Sequence, residues 1–226
     1  MHMEPGVVDG AKIVLSYATG AAAGGYALKL AADTARETGL LPLLGRTVLT
    51  TALVFCFFEV FPHYPVGVSE VHLILGSTLF LLFGAAPAAL GLAFGLLIQG
   101  LFFAPFDLPQ YGMNVTTLLV PLFGLSALAG RIIAPATPYV ELKYGQALAL
   151  STTYQAGVVA WVAFWSIYGG GLAAQNLVEI AQFGGAYMLV ILVEPLVDLA
   201  VLFGAKQLHA LTSGRLFTAR LHHAAA

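Results

Sequence analysis

Apolar positions gather into seven runs along the chain, at 11–28, 46–62, 69–84, 86–104, 115–133, 146–168 and 184–205. Most are close to the roughly 20 residues that a helix needs to cross a hydrocarbon layer about 30 Å thick. Lipid offers no partner to a free N–H or C=O, so runs of this length predict helices. The expected fold is all-α: one polytopic membrane bundle over 1–226, with about seven transmembrane helices. The third and fourth runs are continuous in hydropathy. Gly84-Ala85-Ala86-Pro87 divides them, because Gly and Pro favour a tight turn. The first run is the weakest. It is short between Lys12 and Lys29 and rich in small residues, so six spans with an interfacial 11–28 is the rival count.

Composition agrees with that class. The 226 residues are 59% hydrophobic and 9% charged, with a mean hydropathy of +0.89. A soluble domain cannot hide that much apolar surface. The net charge of −2 gives no reason to expect a nucleic-acid partner. The opening Met1-His2-Met3-Glu4-Pro5-Gly6-Val7-Val8-Asp9 is acidic and Gly/Pro-rich, unlike the basic start of a cleaved leader. The single cysteine, Cys56, excludes a disulfide framework and a thiolate metal site, and is expected to be a small buried residue.

The basic residues set an orientation. With seven spans and the N-terminus outside, the inner segments are 29–46, 84–87, 131–145 and 204–226. They hold Lys29, Arg36, Arg46, Arg131, Lys143, Lys206, Arg215 and Arg220, leaving only Lys12 on the other side. Lys and Arg accumulate on the cytoplasmic face, so an N-out, C-in arrangement with a cytoplasmic tail at 207–226 is expected. It puts residues 1–10 on the same side as the loop that leads to His72.

Candidate chemistry lies on that outer side. The Met1 α-amine, the His2 backbone nitrogen and the His2 imidazole can close fused rings around one metal ion. His72 is either a fourth nitrogen donor or an interfacial histidine held by a hydrogen bond. His63, between Pro62 and Tyr64-Pro65, reads as interfacial or as a guard of the entrance. Planar nitrogen sets suit Ni(II) and Cu(II). Zn(II), which prefers tetrahedral sites, is expected to lose. Metal-bound imidazoles donate their other N–H to an oxygen. Glu4, Asp9, Ser69, Glu70 and Asn114 are on the outer side, with Ser69 and Asn114 the preferred supports. Glu59 either orients a ligand or snorkels to the interface. Glu194 and Asp198, four residues apart on the last span, suit a proton relay or a contact with a neighbouring helix or partner. Gly20–Gly24 and Gly91–Gly95 are G-x-x-x-G faces that admit close helix approach. There is no Gly-x-x-x-x-Gly-Lys phosphate loop.

In three places the chain resembles the NikM/CbiM family, the substrate-capture subunits of nickel/cobalt energy-coupling-factor transporters. These are the Met1-His2 start with Glu4-Pro5-Gly6; Pro65-Val66-Gly67-Val68-Ser69-Glu70-Val71-His72-Leu73; and Gln99-Gly100-Leu101-Phe102-Phe103 followed by Gly112-Met113-Asn114-Val115. The middle stretch carries one more residue before His72 than the family pattern and lacks one of its paired glycines. Thr116-Thr117 replaces the family's usual residues. The resemblance implies a non-enzymatic membrane subunit of the cell inner (plasma) membrane. It implies a Ni²⁺ or Co²⁺ substrate held by Met1, His2 and His72, no permanent cofactor, and uptake driven by a transmembrane scaffold subunit and ATP-binding subunits. Copper stays open on the donor chemistry. The alternatives are a secondary transporter using Glu194 and Asp198, and a structural subunit that has lost its metal site.

Overall fold

A computed structural model describes residues 2–134 and 137–208. Seven α-helices run in order: α1 (Ile13–Thr38), α2 (Leu40–Phe55), α3 (Gly76–Phe83), α4 (Ala85–Phe102), α5 (Tyr111–Ile132), α6 (Tyr144–Gly170) and α7 (Ala174–Leu208). A two-stranded antiparallel hairpin, β1 (Tyr64–Val66) and β2 (Ser69–Val71), stands before α3. Among the described residues, five stretches are long and apolar enough to cross a membrane: Leu40–Val60, Ala85–Phe102, Pro105–Ile132, Gly145–Gly170 and Ala174–Glu194. The protein is an all-α polytopic membrane bundle.

The first and third expected spans differ from the rest. Helix α1 has 26 residues, or about 39 Å of helix, so it is long enough, but its small and polar residues keep it out of that set. It buries a narrow stripe of Ser16, Ala23, Ala27 and Ala31 and crosses α5 at Gly20, where an added Cβ would come within 3.2 Å of the Gly112 backbone. The third span is a composite. Its first part is strand and extended chain, and only Gly76–Phe83 is helical, about 12 Å. The break before α3 lies at Leu75, a non-glycine residue with φ of 53°.

Lipid would make such a break costly unless its backbone groups are satisfied. Glu194 from α7 does this: its carboxylate accepts from Leu75 N at 2.9 Å and from Ser151 Oγ at 2.9 Å. The turn expected at Gly84 is present, since α3 ends at Phe83 and Gly84 takes a φ of 92°.

Two further differences have local causes. Helix α2 ends in a π turn over Cys56–Val60, which points the Cys56 side chain outward. The expectation of a buried cysteine is therefore corrected. Helix α7 starts about ten residues before its apolar run, because Asn176 anchors it to Ser166 O at 3.1 Å and Gly171 O at 2.7 Å. Gly91 and Gly95 let α4 lie directly on α2, where a Cβ would collide with Thr50 and with Val54. Gly24 has nothing within 4 Å of its Cβ direction, so of the first G-x-x-x-G pair only Gly20 marks a helix crossing.

Candidate metal-capture site

The arm before α1 folds back into the bundle as a third strand beside the hairpin. Met3 bridges Ser69 in antiparallel fashion, Glu4 N donates to Val68 O at 3.2 Å, and Glu70 N donates to His2 O at 3.0 Å. Two side chains fix the register. Ser69 Oγ donates to the same His2 carbonyl at 2.8 Å, and Asn114 Oδ1 accepts from Met3 N at 2.8 Å. Met3 is fully buried, so it serves as the plug that seats the arm. Gly67 makes the hairpin turn with a φ of 60°, pressed against the Glu179 carbonyl, where a side chain has no room.

This stitching brings His2 beside His72. The two residues are 4% and 1% exposed, with ring centroids 5.4 Å apart and nearly perpendicular. Glu70 lies between them. His2 Nδ1 is 2.8 Å from Glu70 Oε2, and His72 Nε2 is 3.6 Å from the same oxygen. His2, Glu70 and His72 present one ligand atom each within 4.8 Å of one another, the kind of cluster that can hold a metal ion. Asp107, from the turn before α5, brings Oδ2 to 3.5 Å from His2 Nδ1. The His63 ring stacks on His72 at 4.8 Å, almost parallel, while Phe58 packs against His72 at 5.2 Å. Tyr187 of α7 pins the His72 backbone, its hydroxyl 3.1 Å from both N and O.

The arm and hairpin lie outside the spanning helices, and their electrostatics follow from burial. Burial lowers the His2 imidazole from its ordinary 6.5 to about 4, and lowers that of His72 well below 6.5. Burial pushes the Glu70 carboxyl up, but the His2 hydrogen bond and charge outweigh it and leave it below the usual range. At neutral pH both imidazoles are uncharged and Glu70 is a carboxylate. A carboxylate only accepts, so Nδ1 of His2 carries the shared hydrogen. His2 Nε2 and both ring nitrogens of His72 are buried with no hydrogen-bond partner. Buried polar atoms without partners are uncommon; each of these two rings can offer one nitrogen lone pair to an ion.

The other candidate residues fall in distinct places. Met1 lies outside the described residues. Ser69 and Asn114 both hold the arm backbone. Glu59 accepts from Gln99 Nε2 at 3.2 Å, while the same amide donates to Phe58 O at 3.2 Å. Glu194 caps the break before α3 rather than facing the histidines. Asp198 lies four residues further along α7, its side chain outside the described residues. Asp107 and Tyr187 were not singled out from the sequence. A lone acid between two prolines and a tyrosine in an apolar helix carry no pattern that marks them.

A family model described as the cobalt uptake substrate-specific transmembrane region, CbiM, matches residues 2–209. No curated relative and no solved structure matches the chain. Members of this family are transport components that work with other transporter subunits, and are not enzymes. The chain, with its spanning helices and its buried histidine pair, belongs to the CbiM family as a multi-pass membrane component of cobalt/nickel uptake.

Proposed function

We propose that this protein is the capture subunit of an energy-coupling-factor transporter, taking up Ni²⁺ or Co²⁺ at the outer face of the cell inner membrane. The observation that carries the reading is the meeting of His2 and His72 in one buried space, with three ring nitrogens left without partners. The Met1 amine and the His2 amide nitrogen complete the donor set, and their fused rings close through His2 Nδ1, displacing the hydrogen that this nitrogen shares with Glu70. A fused chelate of this kind needs the amide to lose its proton, so binding releases protons and weakens in acid. Ser69 and Asn114 hold the arm in place for the ion. The chain contains no nucleotide-binding loop, so a transmembrane scaffold subunit and ATP-binding subunits supply the energy.

The secondary-transporter alternative is less well supported, because Glu194 is engaged at both carboxylate oxygens in a structural cap. Metal analysis of the purified chain tests the reading first: about one equivalent of Ni or Co is expected. Extending the chain before Met1 then removes the free amine without changing any side chain. Nanomolar affinity, about −12 kcal/mol, is expected to disappear in the extended form. Its survival there would remove the amine from the site.

A further inference from the structure

We propose that the Glu70 carboxylate is itself a ligand to the captured ion, a fifth donor that biases the pocket toward five-coordinate Co(II) over planar Ni(II). The inference rests on the capture reading above and goes beyond its nitrogen set.

The distances carry it. Metal bonds to nitrogen and carboxylate oxygen are about 2.0–2.2 Å long. Two donors 2.8 Å apart, as His2 Nδ1 and Glu70 Oε2 are, then subtend about 90° at the ion. His72 Nε2 and Glu70 Oε2, 3.6 Å apart, subtend about 120° at the same bond lengths. A square plane has no such angle, whereas a five-coordinate ion has. An ion in this position replaces the hydrogen now shared by His2 Nδ1 and Glu70, and the proton leaves to solvent.

Charge points the same way. A divalent ion with one deprotonated amide keeps a net positive charge in a buried space. Such a charge is costly to leave uncompensated. Glu70 neutralises it and is already in contact with one ligand ring. Glu70 lies on β2, and its amide donates to the His2 carbonyl of the arm. Planar coordination rewards Ni(II) through its ligand field, while Co(II) gains little from flatness. An extra oxygen donor therefore reduces the advantage of Ni(II).

The test loads the purified full chain with Ni(II) or Co(II) alone. The Ni K-edge of the wild-type protein is expected to lack the shoulder of square-planar nickel, and the complex to be paramagnetic. Glu70→Gln is expected to show the shoulder and turn diamagnetic, and to lose about tenfold or more in Co(II) affinity relative to Ni(II). Glu141→Gln, at an exposed carboxylate outside this site, is expected to leave the edge unchanged. A square-planar shoulder in the wild-type protein overturns the proposal, as does a Glu70→Gln spectrum and metal preference equal to wild type. Should Glu70→Gln fail to fold, the wild-type edge decides alone. Failure of the capture reading looks different: no metal bound by the wild-type chain, or binding undiminished in His72→Ala.

Discussion

His2 and His72 are buried, uncharged and short of partners, a combination that costs stability unless something arrives to use the lone pairs. His2→Ala and His72→Ala are each expected to abolish high-affinity Ni(II) and Co(II) binding, while Glu194→Gln keeps it. Isothermal titration of the three variants checks this. Binding lost in Glu194→Gln but kept in His72→Ala would move the site to α7. The arm also carries its own pH dependence. A released arm takes up a proton at His2 below about 6.5, whereas the docked arm does so only below about 4. The unfolded arm thus binds more protons, so docking is at full strength above pH 6.5. It weakens by about 1.4 kcal/mol per pH unit as pH falls toward 4. Hydrogen exchange at the Met3, Glu4 and Glu70 amides, corrected for intrinsic rates, is expected to rise over that window in the metal-free protein. Equal protection at pH 7 and pH 4.5 would contradict it. At this scale the sequence pointed to His2 and His72, since histidines at the edge of apolar runs are conspicuous. Glu70 was one of five outer acids and polar residues, and only the strand register put it between the rings.

Elements in this bundle meet through small residues, and the two G-x-x-x-G faces differ in what they meet. Gly91→Leu is expected to destabilise the protein by about 1–3 kcal/mol or more, because the α2 backbone at Thr50 cannot give way. Gly24→Leu, with open space before it, is expected to leave the melting temperature within a degree or two of wild type, roughly the scale of a surface change. Thermal unfolding in detergent compares them; a larger loss in Gly24→Leu would show that the Gly20–Gly24 face is covered by a neighbour. The helix boundaries were legible where Gly and Pro mark a turn, as at Gly84, and where hydropathy ends, as over α6. They were not legible where polar contacts override it. The 69–84 run reads as a span because its residues are apolar. Its chain is nonetheless half extended, since a carboxylate on α7 and the edge of a hairpin satisfy the backbone that a helix would have satisfied internally.

The whole molecule gathers its chemistry at one end. Lys12 Nζ donates to Gly169 O at 2.8 Å, Tyr17 OH to Pro109 O at 3.1 Å, and Asp107 approaches His2. These contacts join the arm, the turn before α5 and the α6–α7 connection beside the hairpin. The opposite end holds the Gly39 and Gly84 turns, linked by Leu43 and Ala86 packing with Ala31. Basic residues favour that second end as cytoplasmic. A reporter fused after Gly214 is expected to read cytoplasmic, and an impermeant label at Gln175 external; an external C-terminus would put the arm on the wrong face for uptake. The sequence by itself determined the class, the turn at Gly84, the charge bias and the two histidines. These follow from local composition, which lipid and water read residue by residue. Only the tertiary structure decided that the arm adds a strand to the hairpin, that Glu70 lies between His2 and His72, and that Glu194 caps a broken helix. Those facts depend on contacts between residues 64 to 119 positions apart, from Glu4 with Val68 to Leu75 with Glu194, and no local pattern encodes a pairing at that separation.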